Sequence, residues 1–304
     1  MPSDHDHVAT SPQRLVLAIV LNLLITAVEI AGGLVSGSLA LVSDALHNLS
    51  DSVSLLISLI AQRLSRKSYT LEKTFGFKRA EIMAALLNAV TLVAISFYLF
   101  IEAYRRFSSP EPINARVMIA VALFGLAANL LAVLLLHRDA RGSLNIRSAY
   151  LHLLGDTFSS LAVVAGGMAI LFANVVWLDP LLTVLIGLYV LKGGWAILRE
   201  AIDILMQGTP PGIDIRRIQQ WIESVPRVKN LHHVHVWRMD DRQVHFEGHV
   251  QLDGDPTLAE VDLIRRQIKD LLAAEFGVGH ATIETESASC PENGLIRNGS
   301  CASD

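Results

Sequence analysis

Cysteine is almost absent from this chain of 304 residues: Cys290 and Cys301 are the two, both within the last fifteen residues among Pro291, Asn293, Gly294, Asn298, Gly299 and Ser300. Such a pair cannot staple a core, and the body of the chain offers no thiolate to a metal. Charge is also sparse, with 18% Asp, Glu, Lys and Arg against about 25% in ordinary soluble domains. The formal net charge is -4 and no basic stripe stands out, so a nucleic-acid partner is not expected. No His-Glu-x-x-His motif occurs, which removes the signature of helix-borne zinc hydrolases.

What is abundant is apolar sequence. The chain is 52% hydrophobic with a mean hydropathy of +0.43, the composition of an integral membrane protein. Six apolar stretches, at about 15–35, 39–63, 80–102, 117–136, 149–173 and 177–199, each approach the roughly 20 residues that cross a bilayer. The first, Leu15 to Val35, is longer than the roughly 7–15 residues of a signal-peptide core and reads as a retained helix. Lys and Arg near the segment ends number nine in loops 2–3 and 4–5 and three on the other side. The excess puts those loops and both termini in the cytoplasm.

The division expected is a polar tail at 1–13, a six-helix membrane domain at 14–207, a soluble domain at 208–287 and a second tail at 288–304. His5 and His7 in the first tail suit either a weak metal-collecting segment or a plain polar terminus.

Several polar residues fall at membrane depth: Asn22, Glu29, Asn48 and Asn88 in the first three segments, and two pairs with identical order and spacing, His47 with Asp51 and His152 with Asp156. Four residues apart on a helix, the members of each pair stand one above the other. Ionisable groups at that depth cost several kcal/mol, so they persist where they pair, line a water-filled path or bind an ion. Two readings follow: the four residues join the two helices, or they form a four-ligand site. Two imidazoles and two carboxylates suit a tetrahedral Zn²⁺, and the two aspartates neutralise the ion. Magnesium and calcium prefer all-oxygen shells. Because histidine titrates near pH 6.5, protons compete with the ion in the physiological range, which offers a way to eject it. Asp44, seven residues before Asp51, lies on roughly the same face and suits either an ion path or ordinary helix-end polarity.

After Arg199 hydropathy falls, and Gly208-Thr209-Pro210-Pro211-Gly212 is a linker. A helix capped by Asp214 carries Ile215, Ile218, Trp221 and Ile222. Strands are expected at 228–238 and 243–252 around the turn Asp240-Asp241-Arg242, the second alternating Val244, Phe246, Val250 and Leu252 with His245, Glu247, His249 and Gln251. Thr257 with Glu260 is a capping box opening a second helix, and Ala281 to Thr285 forms a last strand. The α-β-β-α-β order suits a two-layer α+β sandwich.

Laid out this way, the chain resembles the cation diffusion facilitator family of zinc transporters over nearly its whole length. The resemblance is carried by Gly37-Ser38-Leu39-Ala40-Leu41-Val42-Ser43-Asp44-Ala45-Leu46-His47, by Thr74-Phe75-Gly76-Phe77-Lys78-Arg79-Ala80-Glu81, by His152 with Gly155-Asp156, and by the soluble domain. It implies transport by alternating access through His47, Asp51, His152 and Asp156, a homodimer, and a ferredoxin-like cytoplasmic domain. It also implies metal at His232, His249 and Glu286, with His235, His280 and Glu284 as further candidates, and Zn²⁺ there as a sensed ligand. His233 stands where the family often has Asp. The alternative for these histidines is a solvated or dimer-contact face. Loop 2–3 has no His, and the short loop 4–5, Arg138-Asp139-Ala140-Arg141-Gly142-Ser143, is similar to bacterial members, implying the inner membrane. The expected function is zinc efflux coupled to protons, with no catalytic cofactor. Carriers of cadmium, cobalt or ferrous iron, an intramembrane metallohydrolase and a zinc receptor are the alternatives.

Overall fold

The computed structural model describes residues 12–65, 69–136, 144–240, 243–287 and 294–296. The tails with His5, His7, Cys290 and Cys301, loop 4–5 and the Asp241-Arg242 part of the β-turn lie outside the described residues, as does the side chain of His152.

Eleven elements are described in chain order: α1 (Pro12–Ser36), α2 (Leu39–Ser65), α3 (Ala80–Ser108), α4 (Ala115–Leu136), α5 (Leu144–Ala173), α6 (Leu178–Leu205), α7 (Ile215–Glu223), β1 (Val228–Arg238), β2 (Val244–Leu252), α8 (Leu258–Phe276) and β3 (Val278–Glu286). They belong to two compact units, one of residues 1–60 and 84–198, the other of 61–83 and 199–304.

The first unit is helical. Among the described residues, Ala80–Ser108, Ala115–Leu134, Leu153–Ala173 and Leu178–Leu205 are long and apolar enough to cross a membrane, and Asn22–Ser36 is a shorter apolar helix. Its surface is apolar, with Leu87, Phe97, Tyr98, Leu134 and Phe172 all exposed, whereas Glu29, Asp44, Asn48, Asn129, Asp156, Ser160 and Asp179 are buried. That inversion is what lipid solvent selects: polar groups turn inward, where they can be partnered. Ala40 and Leu41 of α2 pack with Met118 and Ala122 of α4 and Val163 and Val164 of α5 to form the core.

The turn between α1 and α2 is fixed by a buried carboxylate. Gly37 adopts φ +74°, a left-handed conformation that suits glycine. Asp179 of α6, 0% exposed, accepts from Ser38 Oγ at 2.5 Å and from the backbone N–H of Leu39 at 2.9 Å and of Ala40 at 3.3 Å. Ser38 Oγ in turn accepts from Leu41 N at 3.2 Å. The orphan amides of the first turn of α2 thus find acceptors on α6, about 140 residues away in sequence. Arg106 donates to Gly37 O beside them.

The second unit is an α+β sandwich in the expected order. β1 pairs antiparallel with β2, and β2 parallel with β3. Ile218 and Ile222 of α7 and Ile264, Ile268 and Leu272 of α8 bury against Leu231, Val236, Phe246, Val250 and Ile283. The alternation along β2 therefore leaves His245, Glu247, His249 and Gln251 on the face away from the helices. Three irregularities interrupt the ladder: in β1 between Val228 and Asn230, in β1 between His232 and His235, where His233 has φ +51°, and in β3 at Gly279. The irregularity at Gly279 explains why β3 starts at Val278 rather than at Ala281. Gly277 takes the left-handed cap of α8 at φ +66°, the strand begins at once, and the extra residue at Gly279 lets Val278 reach the core.

Candidate functional site

His47 and Asp51 occupy successive turns of α2, as their spacing predicts, with His47 Nε2 3.6 Å from Asp51 Oδ2. The same Nε2 lies 3.5 Å from Asp156 Oδ1 of α5. Three of the four expected membrane residues thus converge from two helices. His152 lies on α5 one turn before Asp156. Tyr189 of α6 stands edge-on to His47, ring centroids 5.9 Å apart. The approach of α5 to α6 is close: a side chain in place of Gly155 would meet Tyr189 Oη at 3.0 Å.

Asp44 belongs to a neighbouring network. Its carboxylate, 2% exposed, accepts from Ser159 Oγ at 2.5 Å and from Ser160 Oγ at 3.3 Å, and Asn129 Nδ2 donates to Ser160 Oγ at 3.4 Å. On the α1 side, Asn48 Nδ2 donates to Glu29 Oε2 at 3.0 Å, and Asn22 Nδ2 donates to Ser52 Oγ at 2.8 Å. Helix α2 is therefore tied by side-chain hydrogen bonds to α1 and α5 around the His47 cluster. The partners Ser159, Ser160 and Tyr189 carry no signal in sequence, because hydroxyl groups in apolar helices are common and their pairing depends on packing.

In the soluble unit His232, His249 and Glu286 offer ligand atoms that all lie within 4.8 Å of one another. Register explains this: His232 of β1 pairs with His249 of β2, and Glu286 of β3 lies opposite Gln251, near His249 on the same face. His249 Nδ1 is 2.8 Å from Glu286 Oε1 and its Nε2 3.5 Å from Glu284 Oε2. His232, 1% exposed, places Nδ1 3.1 Å from Asn230 Oδ1 and Nε2 3.3 Å from Glu286 Oε2. A proton on Nδ1, donated to Asn230, leaves Nε2 as the lone pair that a metal requires. Two histidines and two carboxylates suit zinc or a similar borderline ion.

The other predicted residues divide. Glu284 touches His249 as just described. His235 meets His233 edge-on, centroids 5.0 Å apart, and His233 lies tilted against His249 at 4.6 Å. His280 pairs instead with His245, at the end of β2 away from His249.

Two family models cover the chain. The cation efflux transmembrane domain matches residues 15–206 and the cytoplasmic domain of cation efflux proteins matches 210–288. The chain belongs to the cation efflux family. Among similar proteins, the zinc transporter ZitB of Pectobacterium atrosepticum is 35% identical over 296 residues, covering 96% of this chain and 91% of that protein. A Bacillus velezensis protein described as a cadmium, cobalt and zinc/H(+)-K(+) antiporter is 36% identical over 95% of this chain and 93% of its own length. The metal cation efflux system protein CzcD of Cupriavidus metallidurans is 35% identical over 95% and 90%. A cation efflux protein is a membrane transporter and not an enzyme, so the hydrolase alternative falls away.

Proposed function

We propose that this protein exports Zn²⁺ from the cytoplasm in exchange for protons, by alternating access, with the ion held between α2 and α5 by His47, Asp51, His152 and Asp156. One observation carries the reading: His47 Nε2 stands 3.5–3.6 Å from carboxylate oxygens of both Asp51 and Asp156, so donors from two helices share one small volume. His152, a turn from Asp156, is the fourth ligand. The site binds the ion when its histidines are neutral, and proton entry competes for the same lone pairs. Similarity to a zinc transporter and to an antiporter supports both the cargo and the exchange. The name of the Bacillus relative favours cadmium and cobalt as the next cargoes, since ions that share ligand preferences are separated by geometry.

Around this site, the protein spans the bacterial inner membrane six times with both termini in the cytoplasm, as the distribution of Lys and Arg favours. The soluble unit is ferredoxin-like and pairs with a second copy. Zn²⁺ at His232, His249, Glu286 and Glu284 reports cytoplasmic metal and biases the carrier toward its active arrangement.

The test is metal-by-metal uptake into inside-out vesicles containing the native chain or Asp51→Ala. The native chain accumulates Zn²⁺ at a rate set by the imposed pH gradient, and the variant does not. Zinc uptake that survives Asp51→Ala removes the site, and uptake indifferent to the gradient removes the proton coupling.

A further inference from the structure

Four residues before His249 on β2, the same sheet face carries a second pair of histidines. His245 of β2 and His280 of β3 are register partners, with ring centroids 5.1 Å apart and planes inclined by 41°. They meet because of a bulge. Val244 pairs with Val278 and the next pair is His245 with His280, so Gly279 is the extra residue. Without it His245 would face Gly279. Bulges in parallel pairs are rare, and bulges generally re-aim a side chain beside a functional site. A similar irregularity, at His233 in β1, lies beside His232.

His245 is 4% exposed, and among the described residues its Nε2 is shut off from solvent with no hydrogen-bond partner. A buried polar atom without a partner calls for an explanation, and an absent ion is one of the standard ones. Trp237 packs against the ring at 5.4 Å and Phe75 meets it edge-on at 5.8 Å, so aromatic rings flank the imidazole. His280, its register partner, is exposed. Asp240 is near enough for its charge to act on His245. Its Oδ1 accepts from Gln243 N at 2.7 Å and its Oδ2 lies 3.6 Å from Lys78 Nζ.

We propose that His245 and His280 form a second divalent transition-metal site in the soluble unit, with Asp240 supplying compensating charge and water completing the shell. The spacing along β2 puts it about 13 Å from the His249 cluster. Neutral imidazole is the ligating form, and burial together with the neighbouring His280 holds His245 below the ordinary imidazole value, against the opposing pull of Asp240. Two imidazoles select zinc, cobalt, nickel or copper over magnesium and calcium. The site is separate from the transport cluster and does not depend on the proposed cargo.

Trp237 provides the readout. In the full-length protein in detergent, with Trp177, Trp195 and Trp221 replaced by Phe, Co²⁺ is titrated and the remaining fluorescence followed, with Mg²⁺ as control. Saturable quenching by Co²⁺ is expected. It should weaken at least about tenfold in apparent affinity in His280→Ala, where the exposed partner is removed at little risk to folding. It should persist in His249→Ala. Zn²⁺ added first should block it. Quenching that His280→Ala leaves unchanged overturns the proposal, as does quenching that His249→Ala abolishes, which would assign the ion to the other cluster.

Discussion

In the membrane unit, His47 and Asp51 meet because a helix brings every fourth residue to one face, and Asp156 joins them from another helix. In the soluble unit, His232, His249 and Glu286 meet because three strands lie in register. The first arrangement joins one local pair to a remote aspartate and is walled by apolar helices, Asp156 having a side chain only 6% exposed. The second takes its residues from three separate strands and opens on water, with the Glu284 side chain 67% exposed. Similar donor sets therefore suit different tasks. A carboxylate kept from water has few alternatives to its ion or proton, whereas an exposed one exchanges ligands readily.

The sharpest way to break this comparison is to remove one carboxylate from each cluster. Asp156→Ala is expected to lower zinc uptake in inside-out vesicles by more than the roughly 10–100-fold typical of losing an outer-shell partner. Glu286→Ala should weaken zinc binding by the soluble cluster about tenfold or more, read by equilibrium dialysis of the full chain, while transport at saturating zinc keeps most of its rate. Equal losses of transport in the two variants would make both clusters part of one pathway and erase the distinction.

The scaffolds differ as well. Helix α2 is capped from a distance, by Asp179 through Ser38, Leu39 and Ala40. Asp179→Ala leaves those buried donors without an acceptor, at a cost of about 2–4 kcal/mol, seen as a lower unfolding midpoint in detergent. Asp179→Asn, which keeps one acceptor oxygen, should recover part of it. Next in size, Ser159→Ala combined with Ser160→Ala strips Asp44 of two donors and should cost about 1–3 kcal/mol. If the double variant also abolished zinc uptake while remaining folded, Asp44 would belong to the ion path rather than to the tie between helices.

How much of this was legible in the residues follows from the same contrast. The six apolar stretches correspond to six long helices, but the helices outrun them: α3 continues to Ser108 and α6 to Leu205, because hydropathy marks the lipid-facing length and polar ends continue the helix beyond it. The His47–Asp51 pair was readable from spacing alone, since helical periodicity depends only on local sequence. The strand cluster was readable only through family resemblance, because register is set by bulges and cross-strand packing. His280 illustrates the limit: it was grouped with His232 and His249, and the extra residue at Gly279 places it on His245 instead. The contacts of Asp179 and Asp44 span about 140 and 115 residues, and no local pattern announces them.

The smallest expected effect tests the locally built cap of α8, the counterpart of the remote cap of α2. Thr257 Oγ1 accepts from Glu260 N at 3.4 Å, and Glu260 Oε2 accepts from Thr257 N at 2.8 Å, the capping box expected from the sequence. Thr257→Ala should cost about 1 kcal/mol. For a unit of this size, that lowers the unfolding midpoint by about 4–8 °C. Hydrogen bonds from the Thr257 backbone and hydroxyl, with Arg227 nearby, hold the Glu260 carboxyl below its ordinary value. A carboxyl lowered on folding contributes stability above its unfolded value near pH 4, and that contribution is lost as pH falls through the folded value. Glu260→Gln should therefore flatten the stability profile between about pH 5 and pH 3, read by thermal unfolding of the soluble unit's transition in the full chain. An unchanged acid limb would show that the box contributes through Thr257 alone.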